Sequence, residues 1–193
     1  GDEFVVILND SALLAIRWNP YYRKLLAAGE QDARNYLIKQ MRRARFLLRS
    51  IEQRRLTISR VMEAIVERQR RFFMEGPGHL EPMTLKDIAS RLDMHDSTVS
   101  RAVAGKYVDT PFGVFPCKMF FTPGVESRGQ EVSQYNIKKL IEKMVRSEDP
   151  GNPLTDSQIA HALNRRGIDI ARRTVAKYRS QLGIPPSNRR KKL

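Results

Sequence analysis

The chain has 193 residues, 41% hydrophobic and 29% charged, an ordinary balance for a globular protein with a real core. Its 35 Lys and Arg against 21 Asp and Glu leave a net charge of +14, and an excess of that size points to a polyanionic partner, because neutralising phosphates releases condensed counterions. The single cysteine, Cys117, excludes an internal disulfide framework and fits a reducing cytoplasm; no run is long and apolar enough to span a bilayer, and no signal-peptide pattern opens the chain.

Phe4 to Leu8 reads as a strand ended by Asn9-Asp10, and with no initiator Met before it the sequence is expected to be a piece of a longer protein. Leu13 to Leu26 is mixed, interrupted at Asn19-Pro20 and closed by Gly29. From Glu30 to Glu75 there is neither Gly nor Pro. Apolar residues recur there at Leu37, Met41, Ala44, Leu48, Ile51, Ile58, Met62, Ile65 and Phe72, with Arg55 and Gln69 filling the two remaining positions of a four-and-three spacing. A stripe that keeps its phase predicts one extra-long helix over about 32–75, roughly 54 Å from Leu37 to Phe72. Two helices joined near Arg54–Thr57 are the alternative, against which no turn residue sits there. Gly76-Pro77-Gly78 ends the helical run.

Thr84 is an N-cap, with Asp87 favourable in the first helical turn and Ile88, Ala89 and Leu92 forming the apolar face. Asp93–Asp96 breaks the helix, and Ser97–Ala104 is a second helix stopped by Gly105. Ala89 is small where the two helices cross, and Val99, ten positions later, plugs the second into the core: a helix-turn-helix spacing with Asp93 in place of the usual turn glycine. Ser97, Thr98, Ser100 and Arg101 then face outward near the second helix's N-terminus, where such residues reach base edges; Ser and Thr there also serve as caps. Thr110-Pro111-Phe112-Gly113 is a turn between short β-prone runs, Tyr107–Val108 and Val114–Phe121, and about 123–133 reads as a linker.

Thr155-Asp156-Ser157-Gln158 is a capping box, and Ile159, Ala160 and Leu163 face a core. Gly167 permits a left-handed turn, and Ile168 and Ile170 anchor it. The helix from Ala171 to Gln181 buries Val175 and crowds Arg172, Arg173, Lys177 and Arg179 into a short span, a density that costs stability unless an anion compensates. Tyr178 either packs or bonds a phosphate, and the tail through Arg189-Arg190-Lys191-Lys192 reads as extended and basic. The fold class is therefore mainly α, an extra-long helix plus two helix-turn-helix units with a minor β element, divided as 1–76, 77–125 and 126–193. Residues 1–76 carry 15 cations and 9 anions, 77–125 carry 5 and 5, and 126–193 carry 15 and 7, so the last segment is the strongest for phosphate contact.

The contiguous run Ala171-Arg172-Arg173-Thr174-Val175-Ala176-Lys177-Tyr178-Arg179 resembles the RpoN box of the sigma-54 class of bacterial RNA polymerase sigma factors. Met94–Arg101 and Ile184–Asn188 are similar to further stretches of that family, and the order of long helix, helix-turn-helix, linker and box also fits. The resemblance implies that the box helix reads an upstream GG promoter element and that the first helix-turn-helix sits at a downstream GC element, where melting begins. It implies contact with double-stranded promoter DNA through Arg172, Arg173, Lys177, Arg179 and, in the first unit, Arg101. It further implies core RNA polymerase as a partner, reached through the 1–76 region and parts not present here, and an ATP-driven enhancer-bound activator acting on the full-length protein. The family's Gln-rich N-terminal region and most of its core-binding domain are absent from this sequence. No cofactor and no membrane partner is expected.

Two other functions fit parts of the pattern. A dimeric helix-turn-helix repressor or architectural DNA protein would pair through the long helix and favour a palindromic site. A nucleic-acid enzyme would need a clustered acidic metal site or a nucleophile beside a base. Against the second, His79, His95 and His161 are scattered, no DxD or HxH spacing occurs, and Cys117 lies in an apolar run.

Overall fold

A computed structural model describes residues 4–9, 19–28, 30–127 and 130–191. They fall into two compact units, Gly1–Glu63 and Ala64–Leu193. In the first, helix α1 (Pro20–Ala28) starts where the sequence breaks at Asn19-Pro20. Pro20 has no N–H to lose at that position, and Asn19 Oδ1 accepts a hydrogen bond from the Tyr21 amide at 2.9 Å. Helix α2 (Gln31–Arg68) follows and continues into the second unit. It runs unbroken through Arg54–Thr57, so the phase of the stripe decided correctly between one helix and two.

Two expectations for this region are corrected. Phe4–Leu8 forms no strand; Val5 and Ile7 are exposed, and all strands among the described residues are spent on two self-contained hairpins. The long helix ends at Arg68 rather than near residue 75, because Gln69 departs from helical geometry (φ −104°, ψ 26°) before helix α3 (Arg70–Glu75) begins. The departure has a cause in the side chain. Gln69 is fully buried, its amide donating to the Glu81 carbonyl at 2.8 Å and its carbonyl accepting from the Glu81 N–H at 2.9 Å. A buried carboxamide satisfied at both ends on one backbone unit fixes the turn, since leaving either group unpaired would cost about 1–3 kcal/mol. The Leu13–Trp18 part of the mixed stretch lies outside the described residues.

After the end of α2 the second unit goes on with α3, a single 3₁₀ turn (Pro77–His79), and helices α4 (Leu85–Leu92) and α5 (Asp96–Val103). Phe72 sits at the centre of an aromatic cluster, its ring edge-on to Phe73, Phe115 and Phe120 at 5.0–5.3 Å between centroids. Strands β1 (Tyr107–Thr110) and β2 (Gly113–Pro116) pair antiparallel around the expected turn, with Tyr107 opposite Pro116 and Thr110 opposite Gly113. The β-prone run ends early: Cys117–Phe120 is a 3₁₀ turn that buries Cys117 and Phe120. The stretch read as a linker is a second hairpin, β3 (Gly124–Ser127) with β4 (Gln130–Ser133). Its Val125 and Val132, directly opposite one another, pack on the core that follows, which is why glycine and serine composition misled there.

Three helices complete the fold, α6 (Gln134–Arg146), α7 (Asp156–Arg165) and α8 (Arg172–Gln181), with a short α9 (Ser187–Arg190) after them. Their shared core is Ile137 and Ile141 of α6, Ile159, Ala160 and Leu163 of α7, Ile168 and Ile170 of the turn, and Val175 and Tyr178 of α8. Each fully buried Ile or Leu contributes about 1.5–3 kcal/mol of transfer free energy, which is what holds so short a helix as α8 in place.

Candidate nucleic-acid interface

In the first helix pair the cap forms as expected. Asp87 N–H donates to Thr84 Oγ1 at 3.3 Å, and Thr84 N–H donates to Asp87 Oδ2 at 2.7 Å. Asp93 takes the left-handed conformation (φ 52°, ψ 51°) that the absent glycine would have taken. Ile88, Ala89, Val99, Ala102 and Val103 are buried, so the crossing and the plug residues are as read from the sequence. Of the four outward candidates, Arg101 is exposed, while Ser97, Thr98 and Ser100 are half-buried. Ser97 is corrected most. Its hydroxyl lies 2.8 Å from His95 Nδ1, and His95, not a Ser or Thr, caps α5 by accepting from the Ser97 N–H at 3.2 Å. Histidine is outside the usual N-cap set, and this role had no signal in the sequence.

The second pair is built more tightly. Thr155 and Gln158 close the capping box of α7, at 3.3 and 2.8 Å. Gly167 takes φ 88°, and Asn164 Oδ1 accepts from the Ile170 N–H at 2.8 Å, so the turn enters α8 on fixed bonds. Helix α8 itself begins differently from α4, α5, α6 and α7. Ala171 offers no side-chain cap, and the first turn carries no acidic residue. Arg172 and Arg173 stand there instead, against the positive end of the helix dipole. Both are exposed, as is Lys177, and no described residue forms an ion pair with any of the three.

Two carboxylates of this unit, Glu142 and Glu148, are committed elsewhere. Glu142 pairs with Lys139 and Arg146 of its own helix at 2.9 and 2.7 Å. Glu148 accepts from Arg190 through both oxygens at 2.6 and 2.8 Å and from the Leu154 N–H at 2.9 Å. Those bonds, led by the Arg190 guanidinium, hold the Glu148 carboxyl below the usual carboxylate range against the opposing effect of burial. The tail is therefore not extended: Arg190 also donates to the carbonyls of Leu154 and Pro185, and α9 folds back. Arg189 and Lys191 remain exposed beside it, as do Arg165 and Arg166 at the end of α7.

Two residues expected at the DNA surface are inside the domain. Arg179 is buried, bonded to both Asp156 oxygens at 2.7 and 3.1 Å and to the Ile184 carbonyl at 2.7 Å, so its guanidinium is consumed in joining α8 to the start of α7. Tyr178 is 3% exposed, its hydroxyl pushed up in pKa by burial, with Lys138 Nζ 5.5 Å from its ring centroid. In a helix of period 3.6, residues 175, 178, 179 and 182 share the inner face and 173 and 177 the outer one, while Arg172, close to the phase of Arg179, is exposed as the first residue of the helix. That spacing was the available signal, obscured by reading Arg and Tyr by type rather than by phase.

Two helix-turn-helix units on one chain, one of them offering unneutralised arginine and lysine from an uncapped helix, define the class: a helix-turn-helix DNA-binding protein. The family model described as "Sigma-54, DNA binding domain" matches residues 34–192, and the chain belongs to that family. It is 40% identical over 193 residues to the RNA polymerase sigma-54 factor of Salmonella typhimurium, covering 99% of this chain and 40% of that protein. Against the Bacillus subtilis RNA polymerase sigma-54 factor it is 40% identical over 188 residues, covering 96% of this chain and 43% of the other. The chain thus spans about two fifths of the length of these relatives. Among solved structures, it is similar to Aquifex aeolicus sigmaN bound to promoter DNA, with a TM-score of 0.60 and 36% identity, over 97% of this chain and 56% of that one.

Proposed function

We propose that this chain is the promoter-reading part of a sigma-54-type subunit of bacterial RNA polymerase, acting in the bacterial cytoplasm at the nucleoid. The observation that carries this is the set of exposed cations at the start and on the outer face of α8. Arg172, Arg173 and Lys177 are exposed and without carboxylate partners on a helix whose uncapped N-terminus also favours an anion. Helix α8 reads the upstream GG element, with Arg172 or Arg173 placed for bidentate bonding to guanine O6 and N7. Helix α5 reads the downstream GC element through Arg101, with Thr98 and Ser100 beside it. Residues 1–76, 77–125 and 126–193 are the functional divisions, the first contributing to core polymerase contact. The full-length protein would respond to an ATP-driven activator. The chain acts by binding, not by catalysis.

The test is footprinting on a random-sequence library, with and without core polymerase. An asymmetric site carrying GG upstream and GC downstream is expected from the chain alone. A palindromic site would replace this function with that of a symmetric dimer.

A further inference from the structure

Three helices of the second unit present a hydroxyl at the N-cap and a polar side chain three positions on. In α4 and α7 these are Thr84 with Asp87 and Thr155 with Gln158, and each pair closes a capping box. In α6 they are Ser133 and Asn136. Ser133 Oγ accepts from the Asn136 N–H at 3.3 Å, but the Asn136 side chain does not turn back to Ser133. Its Nδ2 donates instead to the Leu80 carbonyl at 3.0 Å, a partner 56 residues earlier in the loop that leads into α4. The group that would finish the local cap is spent on joining the second reading unit to the first. Next to this bond the chain entering α6 is also tied down, Gln134 N–H donating to the Pro123 carbonyl at 3.3 Å. The carbonyl of Thr122, one residue before Pro123, accepts from the Met83 N–H at 3.1 Å, so the strap between the two helix-turn-helix readers is itself bonded to the entry of α4. The carboxamide oxygen of Asn136 is buried with no hydrogen-bond partner, so the side chain holds the seam by one bond.

We propose that Asn136 is a spacing-determining residue: its bond to Leu80 fixes the separation between α5 and α8, so that the chain selects duplexes by the distance between their two elements. This rests on the assignment of those helices to two promoter elements. A reader with freely jointed units would tolerate a shifted element at little cost. A bonded seam must break, or the DNA deform, before a shifted element can be reached.

The test uses the 193-residue chain and duplexes whose element spacing is altered by one inserted or deleted base pair. Asn136→Glu is the informative variant, because glutamate at that position restores a capping box while removing the donor to Leu80. Asn136→Ala removes both and serves as the second variant. Wild type should prefer one spacing, and both variants should lose roughly threefold of that preference, the worth of one net hydrogen bond, with affinity for single elements kept. An unchanged spacing profile in either variant, with a wild-type thermal transition, would overturn the proposal alone. If wild type fails to discriminate the elements themselves, the promoter assignment falls, and the spacing role with it.

Discussion

Arg173 and Arg179 are the same residue type six positions apart on one helix, and the structure gives them opposite work. Arg173 is exposed and unpaired, whereas Arg179 spends its donors on Asp156 and Ile184. Arg173→Ala is therefore expected to weaken binding to a GG-bearing duplex by about 1–3 kcal/mol and relax specificity there, with an unchanged melting temperature. Uniform weakening on every sequence would show that Arg173 grips phosphate rather than base. Arg179→Ala should do the reverse at first hand, destabilising the domain by about 3 kcal/mol because Asp156 is left without its cation in a largely buried site. A melting temperature equal to wild type would refute that role. In the first helix-turn-helix Arg101→Ala should change discrimination at the downstream element only; competition titrations with single-element duplexes separate the two, and an effect at the upstream GG would contradict the placement of α5.

At the scale of elements, the parts legible in the sequence are those whose causes are local. The capping boxes of α4 and α7 span three residues, and the unbroken α2 follows from apolar phase. What was not legible is fixed by partners far along the chain: Gln69 reaches Glu81, Asn136 reaches Leu80, and Arg190 reaches Glu148 across 42 residues. A basic tail and a glycine-bearing linker look alike whether free or folded, and only those distant partners tell them apart. The Arg190–Glu148 pair has a pH signature. Glu148 is held below its ordinary range in the folded state, so its stabilisation is complete above the unfolded carboxylate's pKa and is lost as pH falls through the folded value. Glu148→Gln should cost about 3 kcal/mol at neutral pH. Thermal melts should show that difference shrinking as pH falls below the usual carboxylate range; a constant difference would mean that the pair does not titrate as described.

For the whole molecule, charge is divided unequally between the two readers. Residues 126–193 hold 15 cations against 7 anions, whereas residues 77–125 hold 5 of each. In the first helix-turn-helix Arg91 of α4 is paired with Glu67, and α5 has Arg101 as its exposed cation. Phosphate contacts made by the second helix-turn-helix would release more counterions, so they are expected to supply most of the affinity and most of its salt dependence. The first helix-turn-helix, lacking that reserve, is expected to be held on DNA chiefly by being joined to the second, which would bring it to its element at a high effective concentration. On a duplex carrying both elements, footprints taken through a salt titration should therefore lose downstream protection before upstream protection. Replacing Lys177 with Ala should lower the slope of log affinity against log salt by about 1 if it contacts one phosphate, and should shed both footprints at lower salt. Downstream protection that outlasts the upstream would show that the first unit binds independently, and the unequal division of labour between the two readers would be wrong.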